Sequence, residues 1–184
     1  HVVVEDEKFL IDIDGLDPAI VAPYACSGIT VYNGLLKAGL TRPDEWLAIL
    51  GAGGLGLNAI AIARAMGFEN IIALDIDDAK LKSAAQMGAD KTLNSTGGEA
   101  VAETLKEATD NKLFAVLDTF GSEHTGALAV SALAKAGRYV VVGQHGGDFK
   151  MPQIWLPQKA MTVRGSHVGN CLLYTSDAAD EERG

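Results

Sequence analysis

The sequence of 184 residues has few cysteines, few aromatic residues and a deficit of positive charge. Its two cysteines, Cys26 and Cys171, lie far apart and lack the spacing of paired metal ligands or of a disulfide framework. We therefore expect a reducing, cytoplasmic location. The 15 Lys and Arg residues against 24 Asp and Glu give a net charge of −9. This acidic balance argues against nucleic acid or an anionic membrane as a partner.

Long apolar runs and a secretory leader are also missing. No hydrophobic stretch reaches the roughly 20 residues that span a membrane, and the first residues do not resemble a signal peptide. We therefore expect no membrane partner. The chain starts at His1 rather than Met, which suggests a fragment. What is present is 48% hydrophobic residues with 21 glycines, a composition that suits helices packed tightly on a sheet.

Segments of strand length alternate with segments of helix length from Glu45 to Ser166. The predicted strands are EWLAILG, NIIALD, KTLN, LFAVLDTFG, RYVVVG and MTVRGS. Continuous apolar strands separated by helices are typical of a parallel sheet covered on both faces. With right-handed crossovers, the pattern predicts an α/β fold with a doubly wound, six-stranded parallel sheet. Before it, HVVVEDEKFLIDIDG predicts one or two further strands, and a helix-compatible segment ends at Gly39.

A glycine-rich turn, GAGGLG at residues 51–56, follows the first strand of this alternation and opens the next helix. In that context the G-x-G-x-x-G pattern indicates a dinucleotide site. The first glycine permits the tight turn, the second lets a pyrophosphate approach the backbone, and the third lets helix and strand pack closely. The N-terminus of the helix then faces the phosphates. The candidate residues in the turn are Gly51, Gly53, Gly54, Leu55 and Gly56.

The second strand ends in Asp75, which lies 19 residues after Gly56 (75 − 56 = 19). A carboxylate at this position can accept hydrogen bonds from both ribose hydroxyls of an adenosine and would repel a 2′-phosphate. The pattern therefore favours NAD over NADP, and Lys80 in the next helix could reach the same ribose. The alternative is a structural glycine turn beside a solvated acid; strand, turn, helix and acid in register favour the cofactor site.

Four segments resemble the zinc-dependent medium-chain alcohol dehydrogenases, in particular the microbial members. APYACSGITVYNGL resembles their Cys-x-Gly-x-Thr-x-Tyr segment, and GAGGLG with Asp75 and Lys80 resembles their NAD site. YVVVGQ resembles the strand end beside the nicotinamide ribose, and GSHVGN resembles the stretch that follows the sheet. The resemblance covers residues 1–170 and implies a Rossmann fold.

The resemblance also implies a division of the chain. Residues 1–24 would be the C-terminal edge of a truncated, β-rich catalytic domain, 25–166 the NAD-binding domain and 167–170 a return toward the catalytic domain. Residues 171–184 do not continue the family pattern. CLLYTSDAADE back-translates to a string that resembles a sequencing adapter, so we interpret 171–184 as an artefact rather than native protein. The alternative is a disordered, acidic regulatory tail.

Further cofactor contacts are implied by the resemblance alone. Thr30 would lie against the nicotinamide and Phe120 beside the adenosine. Val142, Gly143 and Gln144 would lie beside the nicotinamide ribose, and Ser166 and Val168 would offer backbone groups to the carboxamide. His145, in a glycine-rich loop, is interpreted as an ordinary surface residue.

The resemblance implies that Cys26 is a ligand of a catalytic zinc. Thiolate suits zinc, and a catalytic site takes three protein ligands and keeps one position open. From its spacing alone, a single cysteine in an apolar helix would instead be a small buried residue; the flanking match favours the ligand. The family's other ligands and its proton relay are not found in this sequence, so we expect the fragment alone to be inactive.

The sequence thus predicts a fragment of an NAD-dependent zinc alcohol dehydrogenase, which transfers hydride between NAD and a small primary or secondary alcohol or its carbonyl product. One alternative is a zinc-free reductase of the quinone oxidoreductase kind, against which Cys26 and Asp75 argue. Another is a non-catalytic NAD-binding module. A homo-oligomer is expected through the last strand, at the edge of the sheet, with residues 154–156 (Ile-Trp-Leu) as an apolar patch. The alternative is that this patch packs on its own domain.

Overall fold

Six parallel strands form one sheet in the computed structural model, which describes residues 3–7, 10–39, 42–98 and 100–169. The order across the sheet is β3-β2-β1-β4-β5-β6, and every pairing is parallel. The strands are β1 (Trp46–Leu50), β2 (Asn70–Asp75), β3 (Lys91–Asn94), β4 (Leu113–Asp118), β5 (Arg138–Val141) and β6 (Thr162–Gly165). The predicted doubly wound fold is confirmed. Because the chain returns from β3 to the far side of β1, a crevice opens at the carboxyl ends of β1 and β4.

Helices precede and connect the strands, and some of them begin at side-chain caps. They are α1 (Pro18–Val21), α2 (Ser27–Ala38), α3 (Gly54–Ala65), α4 (Asp78–Gln86), α5 (Ala100–Ala108), α6 (Glu123–Ala132) and α7 (Trp155–Lys159), with a 3₁₀ turn, Ala22–Ala25, before α2. At the start of α4, the Asp77 carboxylate accepts a hydrogen bond from the Ala79 N–H at 2.8 Å. At the start of α6, Ser122 and Thr125 form a reciprocal capping box. Such caps satisfy N–H groups that the first helical turn leaves without partners.

Each face of the sheet has its own apolar core. Along β1, Leu47 and Ile49 point into one core, and Trp46, Ala48 and Leu50 point into the other, as the two-residue period of a strand requires. The first core is covered by α2, α3 and α4, and the second by α5 and α6. Burial of each large aliphatic side chain contributes about 1.5–3 kcal/mol to the free energy of folding. Both helical layers therefore stabilise the sheet.

The segment before α1 differs from its prediction. Residues 3–7 and 10–17 are mostly irregular with a few turns and bends, and no strand lies among them. A strand needs a neighbour for its backbone N–H and C=O groups, and the described residues of this segment have no such pairing. The prediction of one or two strands was therefore wrong for these residues, because β-branched composition alone does not supply a partner. Residues 171–184, interpreted above as an artefact, lie outside the described residues, and the domain boundaries stay predictions.

The approach to β6 contains the predicted apolar patch, residues 154–156. The short helix α7 begins within it. Trp155 and Leu156 pack against the core under α5 and α6, whereas Ile154 is 57% exposed. The alternative in which the patch folds back on its own domain therefore holds for two of its three residues. Strand β6 itself is exposed at all four positions and lies at the edge of the sheet.

Over the ranges that the structure describes, no single helix has the length and apolar composition to cross a membrane. The segments Pro18–Ala25 and Ser27–Ala38 reach that length and composition only together, across a bend of 46°. The second of them, α2, buries eight residues in the domain.

Candidate functional site

The turn between β1 and α3 contains glycines in three different environments. Gly51 has a φ of +92°, in the left-handed region that glycine tolerates best. Gly56 lies so close to the turn that a Cβ on it would be 1.9 Å from the Gly51 carbonyl oxygen. A Cβ on Gly53 or Gly54 would instead meet nothing within 4 Å. A turn that binds a pyrophosphate needs this combination of one tight crossing and one open backbone face.

The N-terminus of α3 is open to an anion. Its N-cap, Gly53, has no side chain that could bond the N–H groups of the first turn. Those N–H groups have no partner within the helix, and the helix dipole adds partial positive charge at the same point. Leu55, half-buried, packs its side chain against the first core and leaves its backbone in this turn. The turn and the helix end together can therefore bind phosphate oxygens.

Asp75, at the end of β2, is 9% exposed and faces this turn. Its Oδ2 accepts the Ala52 N–H at 2.8 Å, and its Oδ1 accepts the Asp77 N–H at 3.0 Å. The Lys80 Nζ lies 3.9 Å from Oδ1. An ionised carboxylate can accept about four hydrogen bonds, so Asp75 has room for a ligand hydroxyl as well. Sequence reasoning missed the bond to Ala52, through which Asp75 also holds the glycine turn in place.

A second buried acid, Asp118, ends β4 and was missed by sequence reasoning. It is 0% exposed; its Oδ1 accepts the N–H groups of Phe120 and Gly121 at 2.9 and 2.8 Å. Its Oδ2 accepts the Tyr139 hydroxyl proton at 2.8 Å. Burial, together with the Asp118 charge and this hydrogen bond, raises the pKa of Tyr139, so the hydroxyl remains a donor. An acid at the end of an apolar strand, as at Asp75, was the signal that could have found it.

The carboxyl ends of β4 and β5 meet backbone to backbone. A Cβ on Gly143 would lie 2.1 Å from the Phe120 carbonyl carbon. The Phe120 ring is 46% exposed and stacks on His145, with ring centroids 4.3 Å apart and planes at 22°. Val142 is buried, and Gln144 is exposed. His145 is exposed, as predicted, but its ring belongs to the same edge of the sheet as Phe120.

Helix α2 brings a third group of candidates to this edge. A Cβ on Gly34 would lie 2.7 Å from Leu117 Cδ1 and 3.1 Å from Val142 Cγ2, so the helix packs closely on β4 and the end of β5. One turn before it, the buried Thr30 donates its hydroxyl proton to the Cys26 carbonyl at 2.7 Å. Thr30 and Val142 are thereby brought to the same part of the fold.

The segment after β6 is held by the same helix. Ser166 is 5% exposed, and its N–H donates to the Val141 carbonyl at 2.8 Å. Lys37 Nζ donates to Ser166 Oγ at 3.1 Å and to the Gly165 carbonyl at 3.3 Å. The Asn33 side chain reaches the Val168 carbonyl, which places Val168 next to α2.

Cys26 is a free, exposed cysteine immediately before α2. Among the residues with described positions, no group of three or more His, Cys, Asp or Glu side chains could hold a metal ion. A catalytic zinc needs three protein ligands, so the residues seen here fit one position of such a site and do not complete it.

A cavity of about 650 Å³ lies elsewhere, between α5 and α6. It is lined by Gly98, Ala102, Glu103, Glu123, His124, Ala127, Leu128 and Ser131. None of the candidate cofactor residues lines it, and its two carboxylates would repel a pyrophosphate. The crevice at the strand ends is therefore the better candidate for a dinucleotide.

The chain matches known proteins over most of its length. The family described as zinc-binding dehydrogenase matches residues 54–181. The NAD-dependent alcohol dehydrogenase of Sulfurisphaera tokodaii is 36% identical over 171 residues, which cover 92% of this chain and 49% of that protein. An alcohol dehydrogenase of Geobacillus stearothermophilus is 38% identical over 167 residues, covering 85% of this chain and 45% of that protein.

Solved structures give the same result. The alcohol dehydrogenase of the archaeon Aeropyrum pernix superposes with a TM-score of 0.77 at 31% identity, covering 88% of this chain and 47% of that chain. The alcohol dehydrogenase of Thermus sp. ATN1 superposes with a TM-score of 0.76 at 29% identity, covering 89% and 47%. This chain therefore spans about half the length of the relatives that it matches.

Two glycine substitutions separate binding from folding. Gly53→Ala should leave the free energy of unfolding within about 1 kcal/mol of wild type, because the added Cβ enters open space. If the turn binds the pyrophosphate of NAD, it should weaken NAD binding about tenfold or more, because the added methyl group would lie in the space that the phosphates need. Gly56→Ala should lower the free energy of unfolding by about 1–3 kcal/mol, because its Cβ overlaps the Gly51 carbonyl.

Urea denaturation gives the stabilities, and titration calorimetry with NAD gives the affinities. The two variants carry the same added methyl group three residues apart, so each is the control for the other. A Gly53→Ala chain that binds NAD as tightly as wild type would contradict the proposed place of the pyrophosphate.

Proposed function

This chain belongs to the zinc-binding dehydrogenase family, which confirms the resemblance, and we propose that it is the NAD-binding part of an NAD-dependent zinc alcohol dehydrogenase. The observation that carries the proposal is the open glycine turn joined to a buried carboxylate. Asp75 lies at the end of the strand next to that turn and is hydrogen-bonded to it. This arrangement suits the adenosine ribose and pyrophosphate of a dinucleotide.

In the proposed complex the pyrophosphate lies on the N-terminus of α3, and Asp75 with Lys80 lies beside the adenosine ribose. Phe120, stacked on His145, offers an exposed aromatic face on the adenosine side. Thr30 and Val142 border the nicotinamide side with Gly143, Gln144, Ser166 and Val168. NAD when bound supplies the hydride chemistry, and the residues of this chain bind and orient it. The substrate would be a small alcohol or the corresponding carbonyl compound, and the proposed location is the cytoplasm.

Asp75 decides which dinucleotide binds. Asp75→Ala should weaken NAD binding, because hydrogen bonds to a charged acceptor contribute about 1.5–3 kcal/mol each before water compensates. It should also bring the affinities for NAD and NADP closer together, because the carboxylate no longer repels a 2′-phosphate. Asp75→Asn keeps an oxygen that can accept the Ala52 N–H, so it isolates the effect of the charge.

Titration of both cofactors against the wild type and the two variants measures this preference. Asp77→Ala is the matched control, since Asp77 is an exposed acid two residues away that caps α4. It should leave the ratio of the two affinities unchanged. Equal affinities for NAD and NADP in the wild type would contradict the assignment of Asp75.

We also propose that Cys26 is one ligand of a catalytic zinc in the full-length protein. The thiol is exposed beside the helix that carries Thr30, which suits a metal placed next to the nicotinamide. Cys26→Ser in the full-length protein should lower the zinc content after dialysis and remove most alcohol dehydrogenase activity. The 184-residue chain should retain little zinc, because one thiolate does not make a site.

Metal analysis after dialysis measures the zinc content. Ser27→Ala, the neighbouring substitution, should leave the zinc content unchanged, because Ser27 donates to the Pro23 carbonyl and has no thiolate. A Cys26→Ser protein with full zinc content and normal turnover would exclude the ligand role.

The proposed homo-oligomer depends on β6. This strand is exposed at the edge of the sheet, and edge strands pair readily with another copy unless something covers them. Sedimentation equilibrium should therefore show self-association that Val163→Lys weakens, because it places a charge on the edge. Met87→Lys makes the same kind of change at the end of α4, which packs beside β3 at the opposite edge of the sheet, and should not alter association. A monomer at every concentration would exclude this interface.

A further inference from the structure

Asn33, on α2, makes a hydrogen bond to a residue that is distant in sequence. It is 9% exposed, and its Nδ2 donates to the Val168 carbonyl at 2.6 Å, across 135 residues of sequence. A buried side-chain amide without a partner would cost about 1–3 kcal/mol, so the hydrogen bond explains how Asn33 is tolerated there. It does not explain why a polar residue faces Val168 at all.

The acceptor of this hydrogen bond lies in an unfavourable backbone conformation. Val168 has a φ of +32°, and a positive φ is an outlier for a β-branched residue. Such conformations persist only where the surrounding structure holds them, and they concentrate at binding sites. The bond from Asn33 acts directly on the carbonyl of the strained residue.

Two neighbouring residues on α2, Gly34 and Lys37, fix the position of Asn33 relative to the sheet and to the segment after β6. Gly34, the next residue, allows α2 to pack against Leu117 and Val142. One turn further, Lys37 bonds Gly165 and Ser166, just before Val168. Asn33 and Lys37 thus hold consecutive parts of the 165–168 segment from one face of a helix that is itself anchored on the sheet. Lys37 reaches the beginning of the segment, and Asn33 reaches the strained residue at its end.

We propose that Asn33 is a positioning residue for the cofactor: it holds Val168 in the conformation in which the backbone of the 166–168 segment binds the nicotinamide end of NAD. The inference rests on the proposed function, since it needs NAD in the crevice. Asn33 itself does not touch the cofactor in this proposal. The loss of its hydrogen bond should therefore affect the nicotinamide end and spare the adenosine end, where Gly53 and Asp75 lie.

Two ligands distinguish these ends. ADP-ribose has the adenosine, the pyrophosphate and both riboses of NAD but lacks the nicotinamide ring. Asn33→Leu, of similar size but without a donor, should weaken NAD binding about tenfold, the effect of one well-placed hydrogen bond. It should change ADP-ribose binding less than about twofold. Asn33→Ser, which is smaller and too short to reach Val168, should give the same pattern and serves if the leucine variant folds poorly.

The matched control is Asn58→Leu. Asn58 also bonds the start of α2 through its side-chain amide, which donates to Ser27 Oγ at 2.7 Å, but it has no part in holding the 165–168 segment. It should leave the ratio of NAD to ADP-ribose affinity unchanged. Calorimetric titration of the 184-residue chain gives both affinities, and thermal unfolding shows whether each variant is folded.

The outcomes separate the two proposals. Equal weakening of NAD and ADP-ribose by both Asn33 variants would mean that Asn33 only stabilises the fold, and unchanged NAD binding would mean that it does not position the cofactor; either result overturns this inference and leaves the proposed function standing. A wild-type chain that binds neither ligand overturns the proposed function and this inference with it.

Discussion

The contact between the backbone of Gly56 and the carbonyl oxygen of Gly51 determines the geometry of the whole crevice. Because a Cβ at position 56 would lie 1.9 Å from that oxygen, α3 can begin directly above the end of β1 only with glycine there. The same requirement for glycine recurs on the other side of the crevice, where a Cβ on Gly143 would lie 2.1 Å from the Phe120 carbonyl carbon. On both sides of the crevice, backbone meets backbone. In the proposed complex, a single dinucleotide would contact both sides.

Two buried carboxylates hold the turns that these contacts create, but they are not equivalent. Burying an ionised carboxylate is costly unless hydrogen bonds compensate it. Asp118 receives three, from two backbone N–H groups and a tyrosine, and is 0% exposed, so it is confined to a structural role. Asp75 receives two from backbone N–H groups, one of them from Ala52 in the glycine turn, and keeps part of its surface exposed. Because Asp75 accepts fewer hydrogen bonds and is more exposed than Asp118, it is the carboxylate that is available to a ligand.

The sheet and its glycine turn could be predicted from sequence because their signals are local. Apolar strands, helix-ending glycines and an acid at the end of β2 follow one another within short stretches of chain, and the predicted fold was confirmed. The contacts that were missed join distant residues: Ala52 to Asp75, Tyr139 to Asp118, and Asn33 to Val168. Periodicity carries no information about such pairs. Among the described residues before α1, the predicted strands failed for the same reason, because a strand exists only with a partner that composition does not reveal.

Helix α2 precedes the alternating strands and helices. It nevertheless joins two parts of the candidate site, Cys26 and the segment around Val168. It follows Cys26 and carries Thr30, Asn33 and Lys37, and its position on the sheet is fixed where Gly34 meets Leu117 and Val142. A larger residue at position 34 would lift the helix from the sheet and displace Cys26 and Val168 together, because both are attached to it. The proposed zinc ligand and the proposed nicotinamide segment are thus positioned by one rigid element. Their relative placement depends on helix packing rather than on the flexibility of the loops that contain them.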